Sequence, residues 1–147
     1  MLRWAIVGIG THSNARMAPA IAAARETELA AVWSRDMGRA RAFAQKQRQG
    51  DCRSYDSYTD LLDAPDIDVV YVATPNSLHA EQTIQAVRAG KHVLCEKPMA
   101  LSVADACAMI EACDKAGVKL GLAFQNRQHP AHQEMRRLVM SGEAGEV

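Results

Sequence analysis

Short apolar runs rich in β-branched residues alternate along this chain with longer stretches of helical periodicity, and this alternation sets its fold class. The apolar runs predict strands at residues 4–7, 29–33, 69–73, 92–95 and 118–123. Strands separated by helices of this length are joined by right-handed crossovers and lie parallel in one sheet. The pattern therefore predicts a doubly wound α/β domain with a mostly parallel sheet.

The helical stretches are predicted at 16–25, 37–47, 58–62, 77–90, 103–117 and from Pro130 onward, with a short tyrosine-containing connection before the third. Asn76 or Ser77 is expected to cap the fourth helix and Ser102 the fifth. The run at 69–73 has no polar alternation, which is typical of a central strand covered on both faces. The residues expected on buried helix faces are Ala80, Ile84, Val87, Met135, Leu138 and Val139. The fifth helix is predicted from the spacing of Val103, Cys107, Ile110 and Asp114, which leads to Gly117.

Composition excludes several classes of protein. The 147 residues suffice for one domain, expected over 1–141, and 48% of them are apolar. The 17 basic residues balance the 17 acidic ones, which argues against a nucleic-acid or acidic-membrane binder. The four cysteines have no zinc-site spacing, and His129 and His132 lack a third ligand, so no metal is expected. No secretory leader or membrane span is recognised, and we expect a cytoplasmic protein with reduced thiols.

The loop after the first strand has the glycine spacing of a dinucleotide-binding turn. Glycines at positions 8 and 10 permit a tight turn and close approach to a pyrophosphate, whose charge the following helix N-terminus favours. Ser13 stands where the usual fingerprint has its third glycine, and an ordinary strand-to-helix turn is the alternative. The residues predicted to contact the cofactor here are Gly8, Gly10, Thr11, His12, Ser13 and Asn14.

Ser34 and Arg35 follow the second strand, at the position where an NAD-preferring protein places a carboxylate. A hydroxyl followed by a guanidinium can instead accept the 2′-phosphate of NADP through charge-assisted hydrogen bonds. Further basic residues follow at Arg39, Arg41, Lys46 and Arg48, for which a solvated helix face is the alternative. We therefore predict NADP, bound by Ser34, Arg35 and Arg39, with NAD as the alternative.

Polar residues also follow the strand at 69–73. Pro75 fixes the exit angle of the chain, while Thr74 and Asn76 can face a phosphate or a ribose. His79 lies in the first helical turn, where a histidine is more often a packing or surface residue than a ligand contact. We predict that Thr74, Pro75 and Asn76 belong to the ligand crevice and leave His79 open.

Glu96-Lys97-Pro98 follows the strand at 92–95. A lysine at a strand end can reach a substrate oxygen and lose part of its proton affinity through burial, whereas the alternative is a surface ion pair with Glu96. Cys95 is expected to be a packed thiol rather than a nucleophile. After the last strand, the polar run at 125–130 offers Asn126 and Arg127 to the same crevice.

Together, these strand ends resemble those of the glucose-fructose oxidoreductase and inositol dehydrogenase (Gfo/Idh/MocA) family. The matching segments are 5–10, 34–36, 72–76 with His79, 90–98 and 126–127, and the Glu-Lys-Pro element is the most specific of them. The resemblance implies a Rossmann-like domain and a hydride exchanged between a nicotinamide and a carbon that bears a secondary alcohol or carbonyl. The substrate implied is a sugar, a cyclitol or a related polyol.

The resemblance also implies roles for individual residues. Lys97 is expected to touch the reacting hydroxyl and the nicotinamide ribose, with Glu96 supporting it. The cofactor side is expected to be lined by Thr74, Pro75, Asn76 and His79.

Members of the family are more than twice as long as this chain and carry a second α/β domain. Residues 142–147 are interpreted as the entry into such a domain, so the isolated chain is expected to bind nucleotide with little or no turnover. A homo-oligomer is expected for the longer protein. The alternative function is a nucleotide-sensing module without redox chemistry, since this fold also serves that purpose.

Overall fold

The computed structural model describes residues 1–47 and 51–146. Arg48 of the predicted basic run and Val147 of the predicted second-domain entry lie outside the described residues. The described chain contains a parallel sheet of six strands in the order β3-β2-β1-β4-β5-β6, which confirms the doubly wound α/β class. The strands are β1 (Leu2–Val7), β2 (Thr27–Trp33), β3 (Arg53–Tyr55), β4 (Val69–Val72), β5 (His92–Cys95) and β6 (Leu120–Leu122).

Six α-helices connect and follow these strands. They are α1 (Ala18–Ala23), α2 (Met37–Lys46), α3 (Tyr58–Leu62), α4 (His79–Arg88), α5 (Val103–Ala116) and α6 (Pro130–Met140). A π-helical turn at Ser13–Met17 leads into α1, and 3₁₀ turns at Asn76–Leu78 and Gln125–Gln128 precede α4 and α6. The first helical stretch therefore begins before the predicted residue 16. The predicted tyrosine-containing connection is the edge strand β3.

The sheet divides the core into two layers because successive strand residues point to opposite faces. On one face, Ile6 and Tyr71 pack with residues of α1 and α2. On the other, Val7 and Val72 pack with residues of α3, α4 and α5. All four residues of β4 are buried, as predicted for a central strand.

One capping prediction is confirmed and one is wrong. Ser102 accepts a hydrogen bond from the Asp105 backbone N–H at 3.0 Å, and α5 ends at Gly117 with φ 67°. No side-chain hydrogen bond from Asn76 or Ser77 caps α4. The 3₁₀ turn that contains them supplies the first backbone bonds instead.

The buried face of α5 is not the row of residues whose spacing predicts the helix. Met109 and Cys113 are buried against α4 and the sheet, while Val103, Cys107, Ile110 and Asp114 are exposed. The buried face is offset from that row by a single position, which is a rotation of about 100° on a helix with 3.6 residues per turn. Cys113 is small, and it packs in the core where α5 contacts α4.

The prediction that α6 buries Met135, Leu138 and Val139 is wrong in the described structure. Met135 and Val139 are exposed and Leu138 is half-buried. The helix lies mainly against the 3₁₀ turn at Gln125–Gln128, and no helix or strand of the described residues covers its apolar stripe. Residues 141–144 then form a turn, and the domain boundary after residue 141 stays a prediction.

No helix in the described residues is both long and apolar enough to span a lipid bilayer.

Gly8 has a steric reason to be glycine. Its φ is +99°, and a Cβ atom added to it would lie 2.5 Å from the carbonyl oxygen of Ala73 at the end of β4. The backbone leaving β1 therefore passes against the backbone leaving β4 with no room for a side chain.

Replacing Gly8 with alanine is expected to lower the free energy of unfolding by about 2 to 5 kcal/mol, from the unfavourable φ and the steric clash together. Gly117→Ala is the matched control, because Gly117 has φ +67° but nothing within 4 Å of an added Cβ. Gly117→Ala should lower the free energy of unfolding by about 1 to 2 kcal/mol, from backbone conformation alone. Urea unfolding of both variants checks this, and equal losses would show that the clash with Ala73 is relieved.

Candidate functional site

A cleft of about 340 Å³ opens at the carboxyl edge of the sheet. Its walls come from the residues that follow β1, β4, β5 and β6, because the carboxyl ends of parallel strands share one edge. The lining residues are Gly10, His12, Ser13, Ala73, Thr74, Asn76, His79, Glu96, Lys97 and Gln125. The structure thus brings together eight of the residues predicted from the sequence.

Gly10 and Ser13 play different parts in the loop after β1. A Cβ atom at Gly10 would meet nothing within 4 Å, so packing within the described protein does not require glycine there. Ser13 is buried, and its hydroxyl donates to the Gly8 carbonyl oxygen at 2.6 Å. The residue that replaces the third glycine therefore fastens the loop, while Gly10 leaves open space beside it.

Glu96 is held by three donors from different parts of the edge. Its Oε1 accepts from the Tyr71 hydroxyl at 2.6 Å and lies 3.1 Å from His12 Nε2, and its Oε2 accepts from the Lys97 backbone N–H at 3.1 Å. Burial and the neighbouring Glu96 carboxylate raise the pKa of Tyr71, so the phenol keeps its proton and remains a donor. The carboxylate thereby ties β4, β5 and the loop after β1 together.

Lys97 departs both from its predicted burial and from the alternative, an ion pair with Glu96. It is exposed rather than buried, and its ammonium forms no ion pair with Glu96, whose carboxylate faces Tyr71 and His12. Only the Lys97 backbone N–H contacts that carboxylate. The Lys97–Pro98 peptide bond is cis. The ammonium on the cleft wall is consequently available to a ligand.

The His79 side chain lines the cleft and lies between the loops after β4 and β5. The side chain is fully buried, with Nδ1 2.7 Å from the Pro98 carbonyl oxygen and Nε2 2.9 Å from the Thr74 carbonyl oxygen. Both ring nitrogens are therefore engaged by backbone oxygens. His79 positions the loops after β4 and β5 rather than presenting a free nitrogen to the cleft.

The other predicted residues after β4 differ in how they are presented. Thr74 donates its hydroxyl hydrogen to the side-chain oxygen of Gln82 in α4, so only its oxygen lone pairs remain for a ligand. Pro75 and Asn76 are exposed, and Asn76 lines the cleft. Asn76 is therefore the freest polar side chain at this strand end.

Ser34, Arg35 and Arg39 lie at the same edge of the sheet but outside this cleft. Ser34 is buried and its hydroxyl oxygen accepts from the Asp36 backbone N–H, while Arg35 and Arg39 are exposed. Three strand spacings separate the ends of β2 and β5, which is about 14 Å at the usual spacing. An extended ligand could therefore meet Arg35 at one end and Lys97 at the other.

Asn126 and Arg127 do not line the cleft that holds Gly10 and Lys97. They lie in the 3₁₀ turn after β6 and line a larger neighbouring cavity that also contains His12, Glu96 and Gln125, and they line a polar cleft beside α6 as well. Gln125 lines the cleft with Gly10 and Lys97, and its place in the polar run at 125–130, three residues after the end of β6, was the available sequence signal. The role of Tyr71 at the site was also missed, because a tyrosine inside an apolar strand is expected to be a core residue.

Cys95 is buried beside this site. Burial raises the pKa of its thiol to about 11. The thiol is therefore protonated at neutral pH, which agrees with a packed residue.

The family described as "Oxidoreductase family, NAD-binding Rossmann fold", the Gfo/Idh/MocA family, matches residues 2–124. The chain belongs to this family. The predicted resemblance is thereby confirmed, and a nicotinamide dinucleotide is the cofactor class of the domain.

Individual relatives agree with this assignment. The chain is 41% identical to the 1,5-anhydro-D-fructose reductase of Ensifer adhaerens over 99% of its length, but spans only 43% of that protein. An aldose-aldose oxidoreductase from Caulobacter crescentus, crystallised with glycerol, superposes with a TM-score of 0.87 at 40% identity, over 96% of this chain and 43% of that one.

Two solved relatives carry different cofactors. A 3-ketoreductase from Actinomadura kijaniata, in complex with NADP and TDP-benzene, gives a TM-score of 0.89 at 33% identity, over 96% of this chain and 42% of that one. The WlbA dehydrogenase from Bordetella pertussis, in complex with NADH and UDP-GlcNAcA, gives 0.88 at 32% identity, over 98% and 41%.

The residues present fit a nicotinamide dinucleotide. The open space at Gly10 lets the loop backbone approach a pyrophosphate, and the N-terminal end of the helical turn Ser13–Met17 lies beside it, since the Asn14 N–H donates to the Gly10 carbonyl oxygen at 3.1 Å. The cleft continues toward Asn76 and Lys97, where a ribose and the nicotinamide would lie.

Replacing Gly10 with alanine is expected to lower the affinity for the dinucleotide by about tenfold or more, because the added methyl group would separate the loop from the pyrophosphate. The free energy of unfolding should change by less than about 0.5 kcal/mol, since the space is open. Fluorescence titration with NADPH and NADH and urea unfolding measure the two effects. Unchanged affinity for both dinucleotides would remove Gly10 from the site.

Proposed function

We propose that this chain is the dinucleotide-binding part of an oxidoreductase that moves a hydride between a nicotinamide and a carbon bearing a secondary alcohol or carbonyl group. The proposed substrate is a sugar, a cyclitol or a related polyol, as the names of the reductase and the aldose oxidoreductase above suggest. The observation that carries the proposal is that Gly10, Glu96 and Lys97 line one cleft. The unpaired cysteines among the described residues favour the cytoplasm as its location.

Lys97 is proposed to act on the oxygen of the reacting carbon. Its ammonium is exposed to the cleft, and no carboxylate of the described residues pairs with it, so it can donate a charge-assisted hydrogen bond to that oxygen and exchange a proton with it. The nicotinamide, when bound, supplies or accepts the hydride. The chain itself contributes orientation and proton handling.

Glu96 is proposed to be a positioning residue. Its carboxylate is fixed by Tyr71 and His12, and its Oε2 in turn fixes the backbone N–H of Lys97. The direction in which Lys97 leaves the strand therefore depends on Glu96 without any contact between the two charged groups.

NADP is the proposed cofactor, with NAD as the weaker ligand. Arg35 and Arg39 are exposed cations after β2, and neither has a carboxylate partner among the described residues. Asp36, the acid between them, accepts a hydrogen bond from the Arg39 backbone N–H at the start of α2. A 2′-phosphate at this strand end would thus meet two guanidinium groups and the Ser34 hydroxyl.

NADPH is expected to bind about tenfold or more tightly than NADH, a difference of roughly 1.4 kcal/mol. The double variant Ser34→Asp with Arg35→Ala should reverse the order, because a carboxylate repels the 2′-phosphate. Arg41→Ala is the control, since Arg41 is an exposed arginine farther along α2. Calorimetric titration measures all three proteins, and equal affinities of the parent for the two cofactors would refute the preference.

In the gene product that contains this chain, Lys97→Ala is expected to lower turnover by about 100-fold or more while the Kd for NADPH changes by less than about threefold. Lys115→Ala is the matched control, because Lys115 is an exposed lysine on α5. A panel of sugar and cyclitol ketones provides the assay. Turnover unaffected by the loss of Lys97 would reject its role, and cofactor binding with no turnover of any ketone would favour a nucleotide sensor.

A further inference from the structure

A second polar cleft, of about 860 Å³, lies beside the 3₁₀ turn after β6 and the first turns of α6. Its lining residues are Asn126, Arg127, His132, Gln133 and Arg136, all of them exposed. It contains two guanidinium groups and an imidazole but no acidic side chain. A wall of this composition is suited to an anion.

The two arginines of this cleft differ from their neighbour Arg137. Arg137 contacts Glu134 at 2.8 Å and Glu143 at 2.6 Å. Arg127 and Arg136 have no carboxylate partner within residues 1–47 and 51–146. Since Glu134 is turned toward Arg137, two positive charges of the cleft remain uncompensated there.

Several contacts fix the cleft wall before any ligand arrives. The Arg127 guanidinium lies 5.1 Å from the centre of the Phe124 ring, a cation–π contact that holds its plane. His132 Nδ1 donates to the Asn126 carbonyl oxygen at 3.0 Å. Gln133 contacts the Arg127 carbonyl oxygen at 3.4 Å. The turn and α6 are therefore joined at both sides of the cleft.

We propose that this cleft binds a phosphate group carried by the sugar substrate. Two unpaired guanidiniums match the charge of a phosphate dianion, whereas a carboxylate would neutralise only one of them. That the phosphate belongs to the substrate rests on the proposed function; binding of phosphate itself does not. The cleft and the catalytic one are neighbours, because a larger apolar trough shares His12, Glu96 and Gln125 with the catalytic cleft and Asn126 and Arg127 with this one.

The site is distinct from the one proposed for the 2′-phosphate of NADP. Arg35 follows β2 and Arg127 follows β6, and these strands are four spacings apart in the sheet. At the usual strand spacing this is about 19 Å. One phosphate group cannot serve both places.

The test is a titration of the 147-residue chain with inorganic phosphate at constant ionic strength, followed through the ¹⁵N resonances of the arginine side chains. Saturable shifts are expected at Arg127 and Arg136. Arg136→Gln should weaken phosphate binding about tenfold or more, a change of roughly 1.4 kcal/mol. Arg137→Gln, which removes the same charge from the next residue of the same helix, should change it less than about twofold because Arg137 is already paired.

Four results would overturn the proposal. The first is arginine resonance shifts no larger than those that chloride produces, and the second is an equal loss of phosphate affinity in Arg136→Gln and Arg137→Gln. The third is acetate binding as tightly as phosphate. The fourth is a loss of NADPH affinity in Arg136→Gln as large as its loss of phosphate affinity. Circular dichroism confirms that the variants remain folded. Failure of the proposed function would appear separately, as absent NADPH binding while the phosphate titration is unchanged.

Discussion

The close approach of the backbone at Gly8 to the backbone at Ala73 is the constraint on which the rest of the carboxyl edge depends. It sets where the loop after β1 begins, and the Ser13 hydroxyl then closes that loop onto the Gly8 carbonyl. From this position His12 reaches Glu96, which also takes the Tyr71 hydroxyl. A contact that admits no side chain thus aligns the ends of three adjacent strands.

Periodicity was sufficient to predict the fold class and the order of nearly all its elements, because buried parallel strands such as β4 have no polar alternation and so stand out. Periodicity did not predict correctly which face of a helix is buried, because burial also depends on the elements that pack against the helix. The predicted buried face of α6 was wrong because its Met135 and Val139 are exposed in the described structure. The edge strand β3 is three residues long, too short to show a period.

The site was predictable as far as strand ends could be recognised. Glycine spacing and the Glu-Lys-Pro element identified residues that the structure brings into one cleft. Which side chain contacts which could not be predicted, because that depends on the register between β4 and β5. The alternative, a pairing of Lys97 with Glu96, is not formed because that carboxylate faces Tyr71 and His12. Asn126 and Arg127 line a neighbouring cavity that shares His12 and Glu96 with the cleft.

The buried imidazole of His79 has a consequence for the thermodynamics of ligand capture. Because it bridges the carbonyl groups of Thr74 and Pro98, the width of the opening between those two loops is set by a rigid aromatic ring. Loops that are already held in this way lose little conformational entropy when a ligand binds. A smaller part of the favourable binding energy is therefore offset by the cost of ordering them. The imidazole therefore holds the two loops at a fixed separation before any ligand binds.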